Sequence, residues 1–148
     1  MMRVVIDTNI LVSSLLVKLG FPVTIYRAWR AGHFTLVTCE EQIDELRATL
    51  RKPYLTARIK PHQTGRLIND IREQAEMIDS LPHVRRSPDS TDDFLLALCE
   101  AGNADYMVTG DKSGLLLLNS HKNTRIISAR HFVASSEKVS HAGGSGYN

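Results

Sequence analysis

The stretch RVVIDTNIL, residues 3–11, decides how the fold is interpreted, because it places a carboxylate directly after an apolar run. Val4, Val5 and Ile6 do not alternate with polar residues, which is typical of a strand buried on both faces of a sheet. Asp7 follows at once. An Asp there can simply turn the chain or cap the next helix. In open α/β sheets, however, ligands bind outside the carboxyl ends of the strands. The stretch alone leaves both interpretations open.

The bulk composition indicates an ordinary globular protein with one core. The chain has 148 residues, of which 43% are hydrophobic and 23% charged. Its net charge of +2 neither indicates nor excludes nucleic acid. Two cysteines are too few for a disulfide framework or a four-cysteine zinc site. No segment approaches ~20 apolar residues, and no signal peptide is visible. We therefore expect a soluble, cytoplasmic protein that does not bind membranes.

Strand-like and helix-like segments alternate along the chain. Beyond residues 4–6, strands are predicted at residues 34–37, 106–108 and 124–128, and one is expected near Val84. Helices are predicted at residues 10–19, 22–32, 64–78 and 94–102, and another follows a capping-box pattern at Thr38 and Glu41. This alternation predicts an α/β fold with a mostly parallel sheet and helices on both faces. One domain is expected over residues 1–134. The Ser- and Gly-rich segment 135–148 is expected to be a disordered tail.

Acidic residues follow two of the predicted strands. Asp111 comes after the apolar run at residues 106–108, much as Asp7 follows the first strand, and Gly110 just before it permits a close backbone approach. Parallel strands share a direction, so both acids are expected at one edge of the sheet. Asp93 lies in the first turn of the apolar helix FLLALC, where an acid also interacts favourably with the helix dipole. Glu45 lies in the middle of a helix, and its spacing alone indicates a surface residue.

Carboxylates gathered at one edge repel each other unless a cation lies among them. Hard oxygen ligands of this kind suit Mg²⁺ or Mn²⁺, which share their coordination with waters and phosphates. Such ions activate water and stabilise an in-line displacement at phosphorus. The pattern therefore favours a metal-dependent reaction of a phosphate ester.

Other catalytic signatures are missing from the sequence. It contains no H-E-x-x-H, Walker A, G-x-S-x-G or G-x-G-x-x-G motif. A haloacid-dehalogenase-like phosphatase also has Asp after its first strand but needs a second Asp two residues later, where this chain has Asn9. A response-regulator receiver would need paired acids near the first strand. The scattered histidines indicate surface or packing roles.

Four segments, in order and at compatible spacing, resemble a PIN domain, and especially the PIN-family toxin ribonucleases of bacterial toxin–antitoxin pairs. They are VVIDTNILVSSLL, EEQIDELRATLRKP, SPDSTDDFLLALCEAGNADYMVTGDK and TRIISARHFV. The resemblance spans about residues 3–134. It implies a three-layer α/β/α sandwich and an endoribonuclease that depends on Mg²⁺ or Mn²⁺. It also implies an RNA substrate, a cognate antitoxin protein and a homodimer.

The resemblance also assigns the site residues. Catalytic and metal-binding carboxylates are implied at Asp7, Glu45, Asp93 and Asp111. Polar residues that would support these acids by hydrogen bonding are Thr8, Asn9 and Thr109. Relatives often carry a further acid two residues past Asp111, where this chain has Ser113, so we expect no fifth carboxylate there. Whether Asp89 or Asp92 assists is left open.

A basic strip beside the acids is predicted to hold RNA. Its candidate members are Arg47, Arg51, Lys52 and Lys112. Arg47 and Arg51 are four residues apart and share a helix face. In the competing interpretation they pair with Asp44 and Glu40 on the protein surface.

The alternative to an enzyme is a catalytically inactive PIN-like module that binds RNA or serves as a scaffold. The presence of all four implied acids favours the enzyme, because a site without catalytic function would not need to retain them.

Overall fold

The computed structural model describes residues 1–144, whose strands form one six-stranded sheet. In chain order the strands are β1 (Arg3–Ile6), β2 (Thr35–Thr38), β3 (Glu76–Met77), β4 (Tyr106–Val108), β5 (Ser120–His121) and β6 (Thr124–Ile127). Across the sheet their order is β3-β2-β1-β4-β6-β5. Every neighbouring pair is parallel except β5 and β6, which are antiparallel. The mostly parallel sheet predicted from the sequence is confirmed.

Helices cover both faces of this sheet. They are α1 (Thr8–Leu16), α2 (Phe21–Arg30), α3 (Glu40–Leu50), α4 (Pro53–Thr56), α5 (Pro61–Gln74), α6 (Asp93–Ala101), α7 (Leu115–Leu118), α8 (Ala129–Ala134) and α9 (Glu137–Gly144). A 3₁₀ turn, Ser90–Asp92, leads into α6.

The core consists of two apolar clusters, one on each face of the sheet. Val4 and Ile6 of β1 belong to the cluster that contains residues of α1, α2, α3, α5, α8 and α9. Val5, which points the other way, belongs to the cluster with Leu95 and Leu98 of α6. β1 is therefore covered on both sides, as its unbroken apolar run predicts, and the protein is a three-layer α/β/α sandwich.

The register of β1 and β4 makes the two strands end level with each other. Ile6 is paired with Val108, and the next amide, Asp7 N–H, donates to the Val108 carbonyl at 2.8 Å. The residues that follow the two strands, Asp7 and Thr109, are therefore neighbours at the carboxyl edge of the sheet.

Within the described residues, no single helix is long and apolar enough to cross a membrane, although α1 and α2, bent by 99°, pass that test of length and composition together.

The sequence interpretation needs correction between residues 38 and 89. Thr38 does not form a capping box with Glu41, because the N-cap is Cys39 and the Thr38 hydroxyl donates to Gln42 Oε1 at 2.6 Å. The helix predicted to reach residue 78 ends at Gln74, where Ala75 becomes extended and the chain enters β3. The strand expected near Val84 does not form, and this segment is irregular.

The prediction of a disordered tail over 135–148 is wrong for the residues in α9. This helix packs against α2 and α8, and Val139 is fully buried in the core. Its apolar face depends almost entirely on that residue and on Ala142, which is too little periodicity to see in a Ser- and Gly-rich sequence. Residues 145–148 lie outside the described part of the chain.

Replacing Val139 with Ala should lower the free energy of unfolding by about 1–3 kcal/mol, because it leaves a cavity under α9. Lys138→Ala, one residue earlier and exposed, is the matched control and should change it by less than about 0.5 kcal/mol. Urea unfolding of both variants measures the difference. Equal stability of the two would mean that α9 is not docked on the core in solution.

Candidate active site

Asp7 is the most buried acid at the carboxyl edge of the sheet. Its residue is 6% exposed, and it caps α1 by accepting the Asn9 N–H at Oδ1 over 3.3 Å. Burial raises the pKa of this carboxyl, and the charge of Asp111 adds to that effect. Hydrogen bonds from Thr109 and from the Asn9 amide act in the opposite direction. A carboxylate buried in this way is one that a cation would stabilise.

Thr109 connects the two acids that follow β1 and β4. Its fully buried hydroxyl donates to Asp7 Oδ2 at 2.7 Å and accepts the Asp111 N–H at 3.1 Å. One side chain thus fixes both the carboxylate of Asp7 and the backbone that carries Asp111. The supporting role implied for Thr109 by the resemblance matches this geometry.

The Asp111 side chain packs against a glycine. A Cβ on Gly114 would lie 2.8 Å from Asp111 Cγ and closer still to Oδ2, so any larger residue would displace the carboxylate. The Ser113 hydroxyl also donates to Asp111 Oδ1 at 3.3 Å. The glycine that makes room at this edge is Gly114, whereas a Cβ on Gly110 would make only an ordinary contact of 3.9 Å with Ile10.

Gln42 is a buried polar residue that fixes α3 against the sheet. Its side-chain amide donates to the Ile6 carbonyl at 2.5 Å and to Thr8 Oγ1 at 3.5 Å. Its carbonyl accepts the Thr38 hydroxyl, so it joins the ends of β1 and β2. Glu45 lies three residues later on the same face of α3 and is half-buried. The sequence analysis missed Gln42. Its position four residues before Leu46, on the apolar face of the helix, was the signal that this polar side chain would be buried.

Asp92 and Asp93 are adjacent but have different environments. The Asp93 carboxylate turns to the preceding loop, where Oδ1 accepts the backbone N–H of Arg86 at 3.0 Å and that of Ser87 at 2.7 Å. Asp92 is half-buried, and neighbouring acids raise the pKa of its carboxyl. Asp92 is therefore a candidate for the acid cluster beside Asp93, the residue that the resemblance implies.

The electrostatics of Asp92 connect it to the acids of three other elements. Burial, followed by the charges of Asp7, Asp89, Asp111 and Glu45, raises its pKa from the ordinary 3.8 to about 6. The acids after β1 and β4, the acid on α3 and the acid before α6 thus share one electrostatic environment. Asp89 is exposed, and its Oδ1 accepts hydrogen bonds from the Thr91 amide and hydroxyl, which lower the pKa of Asp89.

The acids are near each other without forming a closed cage. Among residues 1–144, no group of three or more His, Cys, Asp or Glu side chains is close enough to hold one metal ion directly. Mg²⁺ usually takes only one or two carboxylates and keeps several waters. The donor set fits such a water-rich site and would not fit a metal that needs a full set of protein ligands.

The other predicted site residues are spread around this edge. Thr8 is buried, and its hydroxyl oxygen accepts a hydrogen bond from the Gln42 side-chain amide. Asn9 is exposed, and its backbone N–H donates to the Asp7 carboxylate. Within the described chain no ion pair involves the predicted RNA-binding cations Arg47, Arg51, Lys52 and Lys112. Glu40 pairs with Arg72 at 2.8 Å. Arg47 lies about 200° around α3 from Glu45, so it does not share the face of that acid.

Comparison with protein families gives a match over most of the chain. The family model described as PIN domain matches residues 3–113, a stretch that contains the acids of β1, α3, α6 and β4 described above. The comparison with curated proteins finds no match to the chain.

Asp92 and Asp93 can be separated by stability. In metal-free protein at pH 7, Asp92→Asn should raise the free energy of unfolding, because it removes a carboxylate that burial and neighbouring acids destabilise. Asp93→Ala should lower it by about 1–3 kcal/mol, because two backbone amides lose their acceptor. Urea unfolding in EDTA measures both.

The raised pKa of Asp92 also predicts how this stability difference changes with pH. The folded state raises the pKa of Asp92, so it favours the protonated form, and this residue's contribution to stability falls as pH rises from about 4 to about 6. The stability difference between Asp92→Asn and the wild type should therefore grow over that range and level off above it. A difference that is constant from pH 4 to 7 would contradict the shared environment of the acids.

Proposed function

The chain belongs to the PIN domain family, whose members are generally nucleases, and from this membership we propose that it is a metal-dependent endoribonuclease. The observation that carries the proposal is that Asp7, which is buried and has no ion-pair partner among residues 1–144, is linked through the Thr109 hydroxyl to the backbone of Asp111 at one edge of the sheet. A structural ion pair does not explain this arrangement, because no ion pair neutralises Asp7 within the described residues, and the charges of Asp7, Asp111 and Glu45 raise the pKa of Asp92.

Asp7, Asp92, Asp111 and Glu45 are the residues that would hold Mg²⁺ or Mn²⁺ directly or through water. When bound, such an ion supplies an activated water and neutralises charge at the phosphate. Two features of the chain support this fit. Asp7 is buried with its charge only partly offset by hydrogen bonds, and Gly114 leaves a space that the Asp111 carboxylate fills.

The chain's own residues position these groups before any ligand arrives. Thr109 holds Asp7 and the Asp111 backbone together, and Gln42 fixes α3 so that Glu45 is at the same edge. Asp93 accepts the backbone N–H groups of Arg86 and Ser87 and so fixes the loop before α6. The carboxylate of the neighbouring Asp92 is not needed for these hydrogen bonds. Preorganisation of this kind lowers the cost of placing a phosphate in one orientation.

We extend the proposal to the biological setting that the sequence resemblance implies. The protein would be the toxin of a toxin–antitoxin pair, a cytoplasmic homodimer that a cognate antitoxin protein inhibits. Support for this comes from the four resembling segments. Growth arrest on expression of the chain, relieved by co-expression of the neighbouring open reading frame, would test it.

An inactive PIN-like RNA-binding or scaffolding module is the second candidate. The observation that favours it is the spacing of the acids, since no three of them are close enough to ligate one ion directly within residues 1–144. The two candidates differ in whether added Mn²⁺ produces RNA cleavage.

Substitution of the acids should separate residues that hold the ion from residues that position them. Asp7→Asn and Asp92→Asn should each reduce Mn²⁺-dependent cleavage of single-stranded RNA by more than about 100-fold. Thr109→Val should reduce it by about 10–100-fold, as expected for a residue that acts through a ligand. Asp93→Asn is the matched control for Asp92→Asn and should retain more activity, because Asp93 Oδ1 accepts two backbone amides of the preceding loop and an Asn side chain can keep that acceptor.

Cleavage rates and Mn²⁺ titration by calorimetry give the two readouts. Metal binding without cleavage in the wild type would support the inactive module. Equal losses in Asp92→Asn and Asp93→Asn would contradict the assignment of Asp92.

The basic strip is tested by the salt dependence of RNA binding. Each lost phosphate contact should lower the slope of log affinity against log salt by about 0.7 for a single strand. Lys112→Ala removes the cation next to Asp111, and an Arg47→Ala, Arg51→Ala double variant removes two from the end of α3. We expect shallower slopes and weaker binding to all sequences in both variants, with Mn²⁺ affinity unchanged. If the double variant keeps the wild-type slope, Arg47 and Arg51 do not contact RNA phosphates, and the RNA binds on the side of Asp111 only.

A further inference from the structure

A cleft of about 360 Å³ lies beside the acids and is formed by two of the elements that carry them. On one wall it contains Glu41, which is one turn before Glu45 on α3. On the other wall it contains Ser90 and Asp93, which flank Asp92 in the sequence. The lining of the cleft is therefore one helical turn from Glu45 along α3 and one residue from Asp92 along the chain.

The remaining walls of the cleft are mainly apolar. Leu81, Val84 and Phe94 line it, and all three are only partly buried against the core cluster on this face of the sheet. Their exposed surface faces a cavity large enough for a nucleoside and includes one aromatic ring. Apolar and aromatic walls with a few polar groups are typical of pockets for flat heterocycles.

The polar groups that line the cleft include both hydrogen-bond acceptors and a hydrogen-bond donor. Glu41 and Asp93 are acceptors, and the hydrogen bonds to Asp93 from residues 1–144 both end on Oδ1, so Oδ2 is available to a ligand. Arg85 also lines the cleft and is a donor, and its Nε–H donates to His83 Nε2 at 3.0 Å. A ligand that fits must present both donors, for the carboxylates, and acceptors, for the arginine.

We propose that this cleft binds a nucleobase of the RNA strand next to the cleaved phosphate, and that it prefers guanine. This inference rests on the proposed function, because it takes RNA as the substrate. Guanine presents N–H donors on its Watson–Crick edge, which match a carboxylate such as that of Glu41. Its N7 and O6 are acceptors that match an arginine. Uracil, cytosine and adenine offer fewer adjacent donors to a carboxylate.

The test uses the full-length wild-type chain, labelled with ¹⁵N, and the four ribonucleoside 5′-monophosphates without added metal. GMP should shift the amide signals of Val84, Phe94 and Ala97, which line the cleft. Its dissociation constant should be at least about tenfold lower than that of UMP, since one well-paired base edge gives that discrimination. All four nucleotides carry the same phosphate, so the comparison isolates the base.

Glu41→Gln should bring the GMP and UMP constants to within about twofold, because it removes the carboxylate that pairs with the guanine edge. Glu40→Gln is the matched control: it removes the same charge from the same helical turn, but Glu40 pairs with Arg72 and does not line the cleft. It should leave the preference for GMP unchanged.

Equal constants for the four nucleotides, absence of shifts at the cleft, or an equal effect of Glu40→Gln would each overturn the inference. Failure of the proposed function is a different result, because this measurement needs neither metal nor cleavage. A chain that binds GMP in the cleft and does not cleave RNA overturns only the nuclease. A chain that cleaves RNA and binds all four bases alike overturns only the base preference.

Discussion

The parallel pairing of β1 with β4 is the constraint on which the rest of the site depends. Because Ile6 and Val108 are in register, Asp7 and Thr109 leave the sheet side by side, and the 2.7 Å hydrogen bond between their side chains becomes possible. A slip of one residue would send Asp7 and Thr109 to different faces. The buried alternation of Val4, Val5 and Ile6 between the two core clusters prevents such a slip, so packing of the core sets the geometry of the acids.

This arrangement lowers stability locally. Asp7 is buried, Asp92 is partly buried among other acids, and in both cases burial is the largest cause of the raised pKa. A buried acid elsewhere in the chain has partners that offset its charge. Asp70 is also buried, but it accepts the Tyr26 hydroxyl and pairs with Arg30 at 3.4 Å. The acids at the carboxyl edge have no cationic partner of this kind within the described residues, which is the pattern expected where the partner is a ligand.

The sequence was sufficient for the features that depend on local pattern. Unbroken apolar runs located β1 and β4, and the shared direction of these strands was enough to predict that Asp7 and Asp111 follow them at one edge of the sheet. It was insufficient where a contact joins distant segments. Gln42 reaches Ile6 across 36 positions, and only the fold shows that Gly114 must lack a side chain to accommodate Asp111. The same limit applies to α9, whose order comes from packing on α2 and not from its own composition.

The sequence could not decide between Asp92 and Asp93, because the two acids are adjacent at the start of a helix. Two adjacent acids at the start of a helix differ by about 100° in direction, and alignment on the apolar residues of α6 cannot say which one faces the sheet edge. The structure divides two tasks between them. Asp93 satisfies the amides of Arg86 and Ser87 and so closes the loop before α6, at a point where two unpaired amides would weaken the turn. With that loop fixed by its neighbour, the Asp92 carboxyl is not needed for these two hydrogen bonds, and the charges of the other acids raise its pKa. A pair of acids at this position therefore has a physical reason: Asp93 stabilises the turn before α6, and under the proposed function Asp92 would then be available to a ligand.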